Sequence, residues 1–363
     1  MNIRLIPILW RYVLSGYIKI FLLSICSFIA ILLVSRFKEV ARFAALSESL
    51  QTTGLFIFYQ IPLILPVALP ISALLSAILL FQNLSKSFEL TALRASGVRL
   101  STILAPLLLF SLLCSFLNFS CAASLSPFCR RATKASLYYE TTSNPLLLLQ
   151  RQNLIKTKKS FVKMDEGSSE SGVRNFFLIT NRDSLSLVHA EQIWTEGENF
   201  KGKNIAVLSH FGNTPKEGFD SLLIENQSLM TTDTSTLSAS LKKKRPHLDA
   251  GGLEFPMLRL RSMEKGSKGK KAFIEMGRRS SLSLAIFSFT LLGAAFSIQP
   301  GRTVYRRHLW IAISLAALLM LSYLLGKEFK KSPYLALFIL LLPHPLIWGA
   351  SLTQLYRVEK GVV

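Results

Sequence analysis

A chain of 363 residues, half of them hydrophobic and with a mean hydropathy of +0.39, is too apolar for an ordinary soluble protein. Lys and Arg number 42 against 21 Asp and Glu, a net charge of +21, and the excess lies beside apolar segments and along a polar insert. An anionic membrane surface accounts for that charge better than nucleic acid, for which the sequence carries no binding signature.

The first apolar segment is Tyr17–Ser35. Its run from Ile20 through Cys26 to Val34 is longer than the core of a signal peptide. Ile25 before Cys26 is not the small residue that lipoprotein cleavage requires. The segment reads as a retained membrane helix. Arg36, Lys38 and Arg42 follow it, with Glu39 among them.

The second segment, Gly54–Leu84, is longer than one span needs, and no charge occurs between Glu48 and Lys86. Pro62, Pro66 and Pro70 recur along one side, and each removes a backbone donor. The pattern predicts a short interfacial helix near Gly54–Ile61 and a span near Leu65–Leu84. A single tilted helix with kinks is the alternative.

Glu89-Leu-Thr-Ala-Leu-Arg-Ala-Ser-Gly97 comes next. Leu90, Leu93 and Arg94 share a helical face at three-and-four spacing, and Gly97 is a natural stop. A short amphipathic helix across the mouth of the spans can dock in a partner's groove and act as a lever. The plainer alternative is an interfacial helix that caps the bundle.

The third apolar segment is Ser101–Ser124, and the polar insert follows. Its first stretch, Arg130–Gln150, reads as helical. Then come short runs of strand-forming residues: Phe161–Met164, Asn175–Thr180, Ser184–Ala190, Asn204–Phe211 and Asp220–Glu225. Gly172, Asn181-Arg-Asp, Gly197-Glu-Asn and Gly212-Asn-Thr-Pro punctuate them. Short strands at regular spacing indicate an all-β sandwich or barrel. Lys242–Arg279 reads as a basic connector back to the membrane. The insert has no cysteine after Cys129, so it has neither a disulfide framework nor a thiolate zinc site.

Three more apolar segments end the chain: Ser281–Ile298, Leu309–Leu325 and Tyr334–Leu352. A bilayer core takes about 20 apolar residues per helix, because lipid offers the backbone no partners. The chain therefore reads as a polytopic α-helical membrane protein with six transmembrane helices, three plus three. An all-β domain is inserted between helices 3 and 4. The divisions are 1–128, with the amphipathic helix near 86–98, then 129–275 and 276–363. Six spans return both termini to one side. Arg4, Arg11, Lys19, Lys86, Arg94, Arg99, Arg302, Arg306, Arg307, Arg357 and Lys360 lie on that side. They outnumber Arg36, Lys38, Arg42, Lys327, Lys330 and Lys331 in the short loops opposite, which favours cytoplasmic termini.

Enzyme signals are absences. There is no G-x-x-x-x-G-K-[ST] phosphate loop, and Gly266-Ser-Lys-Gly-Lys-Lys271 has the wrong spacing. His189, His210, His247, His308 and His344 are scattered without metal-ligand spacing. His189 and His210 read as ordinary sheet residues. His344, between Pro343 and Pro345, suggests a broken helix in the last span. No carboxylate pair lies in the spans to drive a proton pump. No cofactor is called for, no catalytic or metal residue is assigned, and any ATP hydrolysis belongs to a partner.

Glu89–Gly97 resembles the coupling-helix signature of the lipopolysaccharide export permeases LptF and LptG, the YjgP/YjgQ family. Arg11-Tyr12 resembles the family's opening of the first span, and Leu69-Pro70 its Leu-Pro in the second. Phe273-Ile-Glu-Met-Gly-Arg-Arg279 resembles its entry to the fourth span, and Gln299-Pro-Gly-Arg302 the turn after it. The resemblance covers the whole chain through its three-insert-three layout.

The resemblance implies a non-catalytic permease subunit of an ATP-driven (ABC) exporter in the inner membrane of a Gram-negative-type bacterium, serving outer-membrane biogenesis. It implies a second LptF/LptG-like permease, an LptB-like ATPase dimer and an LptC-like periplasmic bridge protein. Lipopolysaccharide would be the cargo, extracted among membrane lipids. The inserted domain would be a periplasmic β-jellyroll. Glu89, Leu90, Leu93, Arg94 and Gly97 would couple to the ATPase, and Arg36, Lys38 and Arg42 would contact lipid phosphates. The rival readings are a permease of another ABC exporter, for lipoproteins or lipids, a membrane-bound lipid-modifying enzyme, and a non-transporting scaffold.

Overall fold

The computed structural model describes residues 8–47, 49–143, 154–156, 160–163, 173–181, 185–196, 199–211, 221–233, 249–264, 266–298, 306–326, 328–329 and 332–360. Arg4, the Gln299–Arg302 turn, His247, Lys327, Lys330 and Lys331 lie outside them. Contacts group the chain into two units, one of helices and one that holds the strands.

Among the described residues six helices are long and apolar enough to cross a membrane. The first is α1 (Ile8–Ser35), followed by α2 (Phe37–Leu46), which is not a span. The second is α3 (Leu50–Lys86), and α4 (Glu89–Ala95) is the short helix after it. The third span is a rod of α5 (Leu100–Ser120), a π turn (Cys121–Leu125) and α6 (Ser126–Ser143). After the strands come α7 (Phe255–Ser262) and α8 (Ser267–Ser297), the fourth span. The fifth is α9 (Arg306–Leu325). The sixth, Pro333–Glu359, divides at Leu342 into α10 (Pro333–Leu341) and α11 (Pro343–Glu359); Leu342 keeps helical dihedrals, and the break is one of hydrogen bonding where Pro343 and Pro345 withhold donors.

Two expectations change. No break separates an interfacial helix from the second span; α3 runs unbroken through Pro62, Pro66 and Pro70. A proline frees the carbonyl four residues earlier, and lipid cannot satisfy it. Here all three prolines are buried against the bundle. The Asn118 amide of α5 donates to the carbonyl of Pro66 at 3.3 Å, the acceptor that Pro70 leaves vacant. A neighbouring helix thus supplies a donor that the sequence of α3 lacks. The connector expected over Lys242–Arg279 is also more ordered: α7 forms within it and α8 begins at Ser267.

The helical unit is organised around α8, whose apolar window is 83% buried. Small residues let its neighbours approach closely, the means by which helices associate where lipid removes the hydrophobic drive. A Cβ added at Gly293 would lie 2.8 Å from the Leu74 carbonyl oxygen and 2.9 Å from the Ala77 Cβ. Val13, Tyr17, Phe81, Ile103, Leu107, Ile286 and Ala294 join α1, α3, α5 and α8 in one core. Tyr17 stacks on Phe21, meets Phe110 edge-on and bonds Thr290 Oγ1 at 3.2 Å. By contrast, the α1 window is only 11% buried and that of α9 22%.

Among the described residues, the second unit contains one antiparallel sheet. Strands β1 (Leu154–Lys156), β2 (Ser160–Lys163), β3 (Val173–Asn181), β4 (Leu185–Glu196), β5 (Asn199–Phe211) and β6 (Ser221–Asp233) pair in sequence order. The alternation of strand formers and turn residues produces this meander, with long registers from β3 to β6. Leu178, Ala190, Ile193 and Ile205 are its buried apolar residues among those described. His189 lies against the ring of Phe177 in the sheet. The side chain of His210 lies outside the described residues.

Candidate functional site

The amphipathic helix forms where the periodicity predicts. α4 covers Glu89–Ala95, and Gly97 ends it with φ of 85°. The Val98 amide donates to the Leu93 carbonyl at 3.2 Å and the Gly97 amide to that of Arg94 at 3.0 Å. This is a Schellman cap, which needs a left-handed residue at the glycine position. Val98 and Leu93 complete its apolar contact against the core. At the other end Phe88 carries φ of 61°, a conformation costly for a residue with a Cβ. The approach to α4 is therefore held tightly at both ends.

The face predicted to carry the chemistry points inward. Leu90 is buried in the same core as Val13 and Tyr17, and Leu93 packs beside it. Arg94 Nη2 donates to the Val358 carbonyl at 3.0 Å and to that of Glu359 at 3.4 Å, the last carbonyls of α11. A cation at a helix C-terminus satisfies orphan acceptors and complements the dipole. Glu89 accepts a hydrogen bond from Tyr12 Oη of α1 at 2.7 Å. α4 is thus tied to the first span by Glu89 and to the last by Arg94. Thr91, Ala92, Ala95 and Ser96 remain exposed on its outer side.

The residues after the first span are less concentrated. Arg36 lies in the turn between α1 and α2, and its Nη1 bonds Glu39 Oε2 at 3.1 Å. Both side chains are exposed, so the pair contributes at most about 1 kcal/mol and opens readily to a competing anion. Lys38 is exposed and beside it. The side chain of Arg42 lies outside the described residues.

A second basic cluster is only partly represented in the sequence reading, by the Phe273–Arg279 run. Glu275 on α8 receives Arg278 Nη1 at 2.5 Å and Arg279 Nε at 3.4 Å. Arg278 Nη2 donates to Tyr323 Oη at 2.7 Å, with its guanidinium over the Tyr323 ring. Arg279 Nη2 donates to the Gly251 carbonyl at 3.2 Å, and Arg131 pairs with Glu254. A side chain at Gly251 would collide with the guanidinium of Arg130. Four arginines thus gather around two carboxylates. Among the described residues, the buried Arg278 Nε and Arg279 Nη1 have no hydrogen-bond partner. Charge-assisted donors left over in this way suit an anion. The Glu-then-Arg-Arg run was visible, but Arg130, Arg131 and Glu254 lie far from it in sequence.

His344 is buried beside the break in the last span. Ser281 Oγ donates to the Leu340 carbonyl at 2.9 Å, so it accepts from His344 Nε2 at 3.1 Å. His344 Nδ1 lies 2.9 Å from Ser288 Oγ, which also reaches the Leu284 carbonyl at 3.3 Å and accepts from Trp348 Nε1 at 2.9 Å. The imidazole sits within a network of serine hydroxyls. It joins α8 to both halves of the broken helix. Among the described residues no group of His, Cys, Asp or Glu could hold a metal ion.

A family model for the lipopolysaccharide export system permease LptF/LptG matches residues 11–357. No curated protein matches the chain.

Proposed function

The chain belongs to the LptF/LptG family of lipopolysaccharide export permeases, and we propose that α4 is the lever through which a partner ATPase drives it. The protein is a transport subunit and a multi-pass inner-membrane protein. The observation that carries the proposal is the double tether of α4: Glu89 to Tyr12 of α1, and Arg94 to the end of α11. A push on the outer face of α4 reaches the first and last spans at once. Leu90, Leu93 and Gly97 keep the lever rigid, while Thr91, Ala92 and Ala95 are the surface offered to an LptB-like ATPase dimer. ATP hydrolysis resides in that dimer.

The rest of the reading follows from exposed surface and charge. Leu22, Leu23, Ile31 and Val34 of α1 and Trp310, Leu321 and Leu324 of α9 are more than half exposed. Those faces suit lipid and a second LptF/LptG-like permease, with the first and fifth spans forming a lateral gate for lipopolysaccharide. Loop charges favour cytoplasmic termini and a periplasmic insert, which would join an LptC-like bridge protein. Arg36, Lys38 and Arg42 would then meet lipid phosphates at the outer leaflet.

Copurification tests the central claim. The wild-type permease pair should retain the ATPase and show lipid-stimulated hydrolysis, and Glu89→Lys should weaken both while the protein remains inserted. Unchanged capture and unchanged stimulation would remove α4 from the coupling path.

A further inference from the structure

Helix α7 (Phe255–Ser262) stands outside the six spans, yet exposes large apolar side chains. Met257 is 60% exposed, Leu260 67% and Met263 71%, whereas Leu258 is fully buried. At 3.6 residues per turn, Met257, Leu260 and Met263 occupy an arc of about 120°. Arg259 falls on one flank of that arc and Arg261 on the other, with Leu258 behind. An apolar arc between two cations is the pattern of a helix lying in a bilayer interface.

The attachment of α7 supports the same position. Phe255 meets Phe119 edge-on at 5.1 Å between centroids. Phe119 belongs to the third span, and Leu109, Leu112, Leu113 and Phe116 of that span present an exposed apolar surface. α7 therefore rests on that span through its Phe255 side and turns the arc of Met257, Leu260 and Met263 away from it. Arg131 pairs with Glu254, and Arg279 bonds the Gly251 carbonyl, which fixes the start of α7 to the third and fourth spans. Lys268, Lys270 and Lys271 follow close behind in sequence, against one acid, Glu264.

We propose that α7 lies in the headgroup layer of the membrane, with Met257, Leu260 and Met263 among the acyl chains and Arg259 and Arg261 on the phosphates of anionic phospholipid. The geometry favours lipid over a protein partner because α7 is anchored at Phe119 beside the exposed apolar face of the third span and its own arc is bordered by two cations. Arginine stems lie along apolar surface while their heads reach phosphate. The inference rests on the span assignment and is independent of the coupling role of α4.

The test uses the full-length protein in nanodiscs of phosphatidylcholine, with or without phosphatidylglycerol. A nitroxide is attached at Leu260→Cys, at Met257→Cys or at Lys268→Cys in a variant lacking the four native cysteines. At Leu260 and Met257, collisions with oxygen should exceed those with an aqueous nickel chelate several-fold, and at Lys268 the order should reverse. Phosphatidylglycerol should deepen the Leu260 label, and R259E/R261E should abolish that response. A label at both apolar sites as open to nickel as at Lys268 would overturn the proposal. So would shielding from both reagents, which would mean that protein covers the face.

Discussion

The side-chain amide of Asn118 occupies the position of the backbone donor that Pro70 removes from the carbonyl of Pro66. A polar residue inside the third span thereby maintains the second. Asn118→Ala would leave that buried acceptor without a partner, at a cost of about 1–3 kcal/mol. Thermal unfolding of the detergent-solubilised protein should show the loss. A variant as stable as wild type would mean that α3 tolerates the vacancy without α5.

Tyr12 and Glu89 permit a finer dissection of the lever than charge reversal does. Tyr12→Phe removes one hydroxyl and keeps the outer face of α4 intact. ATPase capture should persist, while the stimulation of hydrolysis by lipid falls. Equal stimulation in Tyr12→Phe and wild type would show that the tether to α1 carries no motion.

The cations after the first span can be tested as a set. Replacing Arg36, Lys38 and Arg42 by Glu sets like charge against lipid phosphate, a repulsion that grows where water is partly excluded. Photocrosslinking from Phe37, which is exposed, should capture less lipopolysaccharide in the triple variant while ATPase assembly is retained. Equal capture would reduce these residues to ordinary headgroup anchors.

Orientation follows from loop charge and has a direct readout. Ser171→Cys should react with an impermeant thiol reagent in intact cells, and Gly361→Cys should react only after lysis. The opposite pattern would invert the topology proposed for the chain.

His344 makes a separate prediction about the broken span. His344→Ala would leave Ser281 and Ser288 short of partners and open a cavity between α8 and α11. The loss should be roughly 2–4 kcal/mol. Trp348 donates to Ser288, so its fluorescence should shift with the change. An unaltered spectrum with unaltered stability would make the network dispensable.

Local signals were legible in the sequence, and those that depend on distant residues were not. Each of the five strand-forming runs falls on a strand, because alternation and turn chemistry are written in adjacent residues. Among the described strands, the short β1 (Leu154–Lys156) alone went unread. The helix at Glu89–Ala95 and its stop at Gly97 were equally local. The continuity of α3 was not, since the donor that helps maintain it comes from Asn118, 52 residues away from Pro66. Leu90, Leu93 and Arg94 were grouped on one face correctly, but periodicity does not say whether such a face meets a partner or its own bundle. The arginine cluster escaped for the same reason: Arg131 and Glu254 are 123 residues apart.

The π turn at Cys121–Leu125 holds one residue outside the helical phase. A π turn takes in one residue more than an α turn, so deleting a residue there lets the rod close to regular α-helix with its far end in nearly the same orientation. The same deletion within α5 would rotate everything beyond it by about 100°. Arg130 and Arg131, a turn or two past the π turn, would then swing away from Gly251 and Glu254. A gap at the π turn in an alignment is therefore silent for the arginines, whereas a gap beside it is a change of phase.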